Sequence, residues 1–186
     1  MIYLLLILMS VVIAQIYTIH QRDYVQEHNI IRSNVSPPAA YMKKLIYSLE
    51  LELIAQRHAN SCSFDNNDHR SMQSPTFSRV GENIFYGAKE KTISDAIQYW
   101  EQQGNYYNIR SNECQTFKFC ELYTQVTWAD SEYIGCGKAE CGTKTFIVCD
   151  YGPSSDLYSR PYTGGVSCNA CPIGYMCEKN LCKKYF

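Results

Sequence analysis

Residues 120–141 read CELYTQVTWADSEYIGCGKAEC, a dense run of cysteine, glycine and aromatic residues. A glycine stands on each side of Cys136, which indicates that another backbone approaches this segment closely. The first half of the run is ambiguous. Residues 123–128 have the composition of a β-strand, yet Leu122 and Val126 also fit one face of a short helix, so periodicity leaves both assignments open.

Strand candidates surround the second half of this run, and helix candidates lie upstream of it. Residues 133–134 and 145–149 have β-type composition, and the chain is loop-like from Gly152 onward. Residues 24–33 predict a short helix that ends before a pair of prolines. Early helices followed by short strands favour the α+β class.

Two longer helices are predicted between these segments. Five apolar residues at helical spacing predict the second helix: Met42, Leu45, Ile46, Leu49 and Leu53. Cys62 follows the end of that helix and can tie it to the rest of the domain. Ser94 and Asp95 are N-cap candidates for a third helix, whose apolar face includes Ile97 and Trp100.

The composition excludes one class of partner. The 186 residues include 17 basic and 18 acidic side chains, which gives a formal net charge of −1. Nucleic-acid binding requires a basic surface, so we exclude nucleic acid as a partner. A hydrophobic fraction of 46% is sufficient for the core of one domain with a small appendage.

The N-terminus reads MIYLLLILMSVVIAQ, with an uncharged apolar run at residues 2–14. This run is shorter than the ~20 residues that a transmembrane helix needs. Val12 and Ala14 supply the small residues of a cleavage site. We therefore predict a signal peptide at residues 1–14 and a secreted, extracellular protein without a transmembrane anchor. A buried N-terminal strand is the alternative.

The ten cysteines of a secreted chain predict a disulfide framework. Six lie between Cys62 and Cys149, and four lie close together near the C-terminus, so two separately cross-linked units are expected. The Cys-x-x-Cys pattern at Cys168 and Cys171 is also compatible with zinc. Disulfides are the favoured interpretation in an oxidising compartment, and a redox motif would require a βαβ pattern that the sequence lacks.

Several motifs resemble one family. EHNIIRSNVSPPAAYMKKL (residues 27–45) is similar to its opening helix and Pro-Pro turn, and GENIF (81–85) matches its Gly-Glu-Asn signature. YTQVTWADSEYIGCG (123–137) and FIVCDYGP (146–153) resemble its two further signatures. The chain thus resembles the CAP superfamily (cysteine-rich secretory proteins, antigen 5, pathogenesis-related 1). It is most like the venom allergen-like proteins of parasitic worms.

The resemblance implies an α-β-α sandwich with a small antiparallel sheet, in which residues 123–128 belong to a short helix. The CAP (SCP) domain is expected at residues 15–160. A cysteine-rich tail at 161–186 is similar to the hinge of cysteine-rich secretory proteins. The resemblance also implies five disulfides: Cys62–Cys141, Cys136–Cys149, Cys114–Cys120, Cys168–Cys177 and Cys171–Cys182.

Many CAP domains hold a divalent cation in a central cleft with two histidines and two glutamates. The family motifs place these four positions at Asn66, Glu82, Gln103 and Leu122. An amide is a poor ligand for zinc and leucine has no donor atom, so a degenerate site with no metal and no cofactor is expected. His69 is close enough in sequence to approach Glu82, but a solvated loop histidine is the favoured interpretation.

The sequence offers no catalytic residues, because no nucleophile stands at a recognisable spacing from His28 or His58 and the cysteines are expected to be paired. We therefore predict a non-enzymatic protein that binds a lipid, either a sterol or a fatty acid, or that acts as an extracellular effector. Four aromatic residues are candidates for a ligand groove: Tyr99, Trp100, Tyr106 and Tyr107. For Trp100 a position in the core is the alternative.

Two further features concern the protein surface. The alternative function is an extracellular module that binds host proteins through the cysteine-rich tail. Asn34 begins the sequon Asn-Val-Ser and is a candidate for glycosylation, although Pro37 directly after the sequon lowers that chance. A polar residue that ends the first helix is the other interpretation of Asn34.

Overall fold

The structure is a computed structural model that describes residues 23–156 and 158–185. The predicted signal peptide lies outside these ranges. The helices are α1 (residues 23–33), α2 (Leu49–Ser61), α3 (Ile93–Gln102) and α4 (Glu121–Val126). The strands are β1 (Ile46–Tyr47), β2 (Gly81–Ala88), β3 (Tyr107–Asn108), β4 (Glu113–Cys114), β5 (Tyr133–Cys141), β6 (Lys144–Gly152), β7 (Tyr175–Glu178) and β8 (Leu181–Lys184).

The central sheet has four strands in the order β1-β5-β6-β2. Its three long strands pair antiparallel, and the two-residue strand β1 joins the edge in parallel with β5. Two small antiparallel ribbons, β3-β4 and β7-β8, lie outside this sheet. The predicted α+β class with a small antiparallel sheet is confirmed.

Helices cover both faces of the sheet because successive side chains of a strand point to opposite sides. On β6, Phe146 and Val148 join a cluster with Ala55 and Ala59 of α2. The alternating residues of the same strand join the larger cluster formed with α1, α3 and α4. The result is the three-layer α-β-α arrangement that the resemblance implies.

The boundaries of α2 differ from the prediction, which placed Met42 to Leu53 along one helix. The helix begins only at Leu49, where the Ser48 side chain accepts a hydrogen bond from the Leu51 N–H. Leu49 and Leu53 are about half exposed, whereas Leu51 is buried. The predicted apolar face was therefore wrong, although Cys62 does cap the helix in a left-handed conformation.

Two glycines of β5 determine which face of α2 is buried. A Cβ atom on Gly135 would lie 2.0 Å from the Glu52 nitrogen, and one on Gly137 would lie 2.4 Å from Gln56 Cα. The close backbone approach expected from these glycines is therefore present. It brings α2 into direct contact with the sheet, so larger residues at these positions would separate the two layers.

The remaining helices have clear local causes. Thr92, rather than the expected Ser94 or Asp95, is the N-cap of α3 and forms a capping box with Asp95. The segment that was ambiguous in the sequence forms α4, because Val126 is buried in the main core and Leu122 packs against that core. Tertiary packing thus overrides the β-type composition of this segment.

All ten cysteines pair, and they form the five pairs that the resemblance implies. The tail does not stand apart from the domain. The Cys182 N–H donates to the Met42 carbonyl at 2.7 Å, and Leu181 is buried in a cluster with Met42 and Tyr162. The β7-β8 ribbon is therefore anchored to the segment between α1 and α2.

Candidate functional site

Glu82 occupies the one position of the family tetrad that keeps its carboxylate. It lies at the start of β2, opposite Asp150 of β6, and its side chain is buried beneath α2. His58 Nδ1 is 2.8 Å from Glu82 Oε2, and the Asn67 N–H donates to Oε1 at 2.8 Å. Both carboxylate oxygens therefore bind protein groups.

The other three tetrad positions do not complete a set of ligands around Glu82. Asn66 is exposed in the loop after α2. Gln103 Oε1 accepts a hydrogen bond from the Leu122 N–H at 3.1 Å, so these two positions bind each other. Leu122 also packs against the main core. The residues at the four tetrad positions do not fit a divalent cation. Only Glu82 offers a carboxylate, it is already hydrogen-bonded, and the usual closed set of ligands is missing.

Asp150 is a buried acid that the sequence analysis did not identify. It is fully buried, and neither carboxylate oxygen has a hydrogen-bond donor within the described residues. Burial raises the pKa of Asp150 well above its ordinary value, the neighbouring Glu82 raises it further, and Arg70 and Arg57 oppose the shift. Burial without a donor, opposite the Glu82 carboxylate, favours the protonated form of Asp150.

A groove lies between α1 and the start of α3. It has a volume of about 400 Å³. Tyr24, Ile30 and Ile93 supply apolar lining, and Lys138 is the only cationic side chain among the lining residues of the described chain. The Glu27 carboxylate, also in the lining, accepts a hydrogen bond from Ser94 Oγ at 2.5 Å. The groove therefore combines an apolar wall with one cation, Lys138, and two carboxylates, Asp23 and Glu27.

Comparison with known proteins decides the family. The model of the cysteine-rich secretory protein family (CAP) matches residues 25–151. The chain belongs to the CAP family. A solved structure of venom allergen-like protein 4 from Schistosoma mansoni is similar, with a TM-score of 0.68 and 30% sequence identity over 78% of this chain and 95% of that chain. The resemblance to worm venom allergen-like proteins is confirmed.

Two curated relatives extend this result beyond worms. The CAP protein is 36% identical over 163 residues to glioma pathogenesis-related protein 1 of Mus musculus. The aligned region covers 87% of this chain and 63% of the relative. It is 39% identical over 169 residues to GLIPR1-like protein 1 of Homo sapiens, and that aligned region covers 86% of this chain and 69% of the relative. The chain thus spans about two thirds of the length of these two relatives.

The disulfides of the CAP protein bear on the compartment in which it is found. Five disulfides are typical of an extracellular-type protein. In the ranges that the structure describes, no helix combines the length and apolarity needed to cross a bilayer. Asn34, the sequon residue, is exposed just after α1. Its glycosylation stays a prediction.

The four aromatic candidates for a ligand groove do not line the groove between α1 and α3. Trp100 is fully buried and donates its indole N–H to the Ile84 carbonyl, so it is a core residue. Tyr99 packs on Phe85 and is half exposed. Tyr106 lies beneath the Lys118 ammonium, and the Tyr107 hydroxyl donates to Asn112.

The buried histidines His28 and His58 hydrogen-bond to other residues of the CAP domain. The ring nitrogens of His28 lie 2.7 Å from the Tyr24 carbonyl and 2.8 Å from the Tyr151 hydroxyl, and burial lowers the pKa of His28 to about 4. His69 is exposed at the start of a short 3-10 turn, and its side chain forms no hydrogen bond or ion pair with Glu82, the contact that was considered from sequence. The contact of His58 with Glu82 was missed, since the sequence suggested only an interaction with the helix dipole.

The first prediction concerns Asp150. We expect Asp150→Asn to raise the free energy of unfolding at pH 8 by roughly 1–3 kcal/mol, because the amide is neutral and can donate to Glu82. A pKa that is raised in the folded state makes wild-type stability greatest below the ordinary aspartate pKa. That stability is lost as pH rises through the folded-state pKa. Urea unfolding at pH 5 and pH 8 should therefore show a larger difference between the two proteins at pH 8.

The matched control is Asp68→Asn, which removes an exposed carboxylate in the loop after α2. We expect this change to leave the free energy of unfolding within about 0.5 kcal/mol at both pH values. Equal pH dependence in wild type and Asp150→Asn would show that Asp150 is ionised in the folded protein and would contradict the assignment.

Proposed function

We propose that this CAP protein is secreted and non-enzymatic, and that it carries a lipid, a fatty acid or a sterol, in the groove between α1 and α3. The groove itself carries this proposal. Ile30, which lines it, is 58% exposed, so its side chain leaves apolar surface open to a ligand on the wall of the groove.

The chemistry of the groove suits an amphipathic ligand. Ile30 and Ile93 present apolar surface for a hydrocarbon chain or ring system. The Lys138 ammonium can donate hydrogen bonds to a fatty-acid carboxylate or to the oxygen of a sterol hydroxyl. Glu27 is held by Ser94, so its carboxylate is already hydrogen-bonded beside that cation.

The non-enzymatic part of the proposal is supported by burial. The side chains of Glu82 and His58 are 0% and 6% exposed, and Asp150 is fully buried with them. A general acid or base must come within hydrogen-bond reach of its substrate, and Glu82 and Asp150 are closed off beneath α2. His58 reaches a shallow surface pocket with Asn67, but its Nδ1 lies 2.8 Å from Glu82 Oε2. The same contacts support the absence of a cation, because both oxygens of Glu82 are occupied.

Uptake of lipid by the delipidated protein tests the groove. We expect Ile30→Gln to weaken binding of a radiolabelled fatty acid or sterol by about fivefold, which corresponds to the loss of ~1 kcal/mol of apolar contact. Leu53→Gln is the matched control, because Leu53 is an aliphatic residue on α2 that is also about half exposed. Delipidated wild type that takes up neither lipid, or equal weakening by both substitutions, would contradict the proposal.

A second candidate function is favoured by the surface of the tail. Ile173 is fully exposed at the turn before β7, and Val166 is 77% exposed in the segment before Cys168. Tyr175 is less available for a partner, since it is only partly exposed and its hydroxyl donates to the Glu132 carboxylate. Exposed aliphatic residues on a rigid, disulfide-bonded ribbon support an extracellular module that binds host surface proteins.

Point substitutions test this candidate better than deletion of the tail, because removing Leu181 would uncover the core around Met42. We expect Val166→Lys/Ile173→Lys to reduce saturable binding of labelled protein to protease-sensitive sites on host cells by at least about tenfold. Leu49→Lys/Leu53→Lys on α2 is the control. Flow cytometry that shows equal binding by the tail variant and wild type would exclude the tail as the contact surface.

A further inference from the structure

We propose that a second pocket binds a small organic oxyanion, a phosphate or carboxylate group attached to an apolar moiety. The pocket has a volume of about 460 Å³ and shares no lining residue with the groove between α1 and α3. It lies where the loop of the β3-β4 hairpin meets the segment that leads into the tail. Arg110 and Arg160 form its charged side, and Pro37, Ile109 and Tyr162 form its apolar side.

The walls of this oxyanion pocket are fixed by backbone hydrogen bonds. Arg160 donates from Nε to the Ile109 carbonyl at 3.0 Å and from Nη2 to the Arg110 carbonyl at 2.9 Å. On the opposite side, the Ala40 N–H donates to the Thr163 carbonyl at 2.9 Å. The Arg160 side chain and the backbone of the pocket are therefore held in place, which lowers the entropy lost when a ligand binds.

Its positive charge is not neutralised. Within the described chain, neither Arg110 nor Arg160 forms an ion pair, and the Arg110 guanidinium forms no hydrogen bond. Arg160 uses Nε and Nη2 on carbonyls and leaves Nη1 for a ligand. Two guanidinium groups at one concave surface repel each other, and an oxyanion relieves that repulsion through paired N–H···O bonds.

The apolar side defines the ligand further. Tyr162 is only 3% exposed and forms part of the floor, and Pro37 and Ile109 extend the apolar surface beside the arginines. Inorganic phosphate would contact the guanidinium groups and leave this surface in contact with water. An amphipathic anion would cover both parts, which is the usual composition of a small-molecule site.

Calorimetric titration of the full secreted protein tests the proposal, with dodecyl phosphate below its micellar concentration and inorganic phosphate as the two probes. We expect saturable one-to-one binding of dodecyl phosphate that is at least about tenfold tighter than binding of inorganic phosphate. Chemical-shift changes at the amides of Arg110, Thr163 and Gly164 would place the ligand in this pocket.

Substitutions separate the pocket from non-specific binding. We expect Arg110→Gln to weaken dodecyl phosphate binding by at least about tenfold, and Arg110→Lys to weaken it less because the charge remains while the guanidinium fork is lost. Arg79→Gln, which changes an exposed arginine outside the pocket, should leave affinity unchanged. Equal binding by Arg110→Gln and wild type, equal affinity for the two probes, or no saturable binding would each overturn the proposal.

Discussion

Replacing Arg32 with methionine is expected to abolish secretion of folded protein or to lower the free energy of unfolding by at least about 4 kcal/mol. Arg32 is 1% exposed, and its five N–H groups make six hydrogen-bond contacts with five backbone carbonyls, so one Nη2 N–H is shared between two carbonyls. These carbonyls belong to Lys43, Val126, Trp128, Ala129 and Ser131. The side chain thus joins α1 to the segment before α2 and to the turn between α4 and β5.

The size of this effect follows from what methionine leaves behind. The Trp128 and Ala129 carbonyls also accept from the Ser131 and Lys43 N–H groups, so the carbonyls of Lys43, Val126 and Ser131 are the ones that depend most on Arg32. Each buried carbonyl that loses its donor costs roughly 1–3 kcal/mol. Because a domain of this size is stable by only about 5–15 kcal/mol, the loss is a large share of the total. Burial lowers the pKa of Arg32 to about 9, because removal from water disfavours the charged guanidinium.

Urea unfolding of Arg32→Met, Arg32→Lys and Arg79→Met measures the effect. Lysine offers three donors at one point and should recover only part of the loss, while the exposed Arg79 variant should remain within about 0.5 kcal/mol of wild type. An Arg32→Met protein as stable as the Arg79 variant would show that the carbonyl network contributes little to the fold.

Removal of the Cys62–Cys141 disulfide is the second change with a large expected effect. The two cysteines are 79 residues apart in sequence and connect the end of α2 to the end of β5. Chain-entropy arguments give about 4.5 kcal/mol for closing a loop of this length in the unfolded state. Double substitution by alanine should therefore lower the free energy of unfolding by roughly that amount.

The Cys114–Cys120 disulfide provides the matched control, because its cysteines are only 6 residues apart. The same argument gives about 2.4 kcal/mol for this short loop. Urea unfolding of the two double-alanine variants should rank them in that order. A larger loss for the Cys114/Cys120 variant would mean that strain or local packing, rather than loop closure, determines the contribution of these bonds.

The sequence predicted the fold where motifs carried information that periodicity lacked. The glycines around Cys136 correctly indicated close backbone approach. A Cβ atom on Gly135 would lie 2.0 Å from the Glu52 nitrogen of α2, so only glycine permits this contact between α2 and β5. The buried face of α2 could not be predicted from spacing, since Leu49, Leu51 and Leu53 are equally apolar. Contact with the sheet, a tertiary effect, selects Leu51.

The candidate site was predictable only in part for a similar reason. Family motifs located Glu82, but the partners of its carboxylate come from positions far apart in sequence. Strand alternation offered one usable signal, since Asp150 follows Phe146 and Val148 at a spacing of two on the buried face of β6. No sequence pattern near His58 predicts its contact with Glu82, because the position of α2 relative to β2 is determined by tertiary packing.

Native mass spectrometry of the protein secreted from eukaryotic cells, with its five disulfides intact, tests the central proposal most directly. The proposal of a lipid carrier without a cation site predicts a mass excess equal to one fatty acid or sterol, which organic solvent removes and Ile30→Gln reduces. A mass excess equal to one divalent ion that Glu82→Gln abolishes, or a bare polypeptide mass, would contradict it.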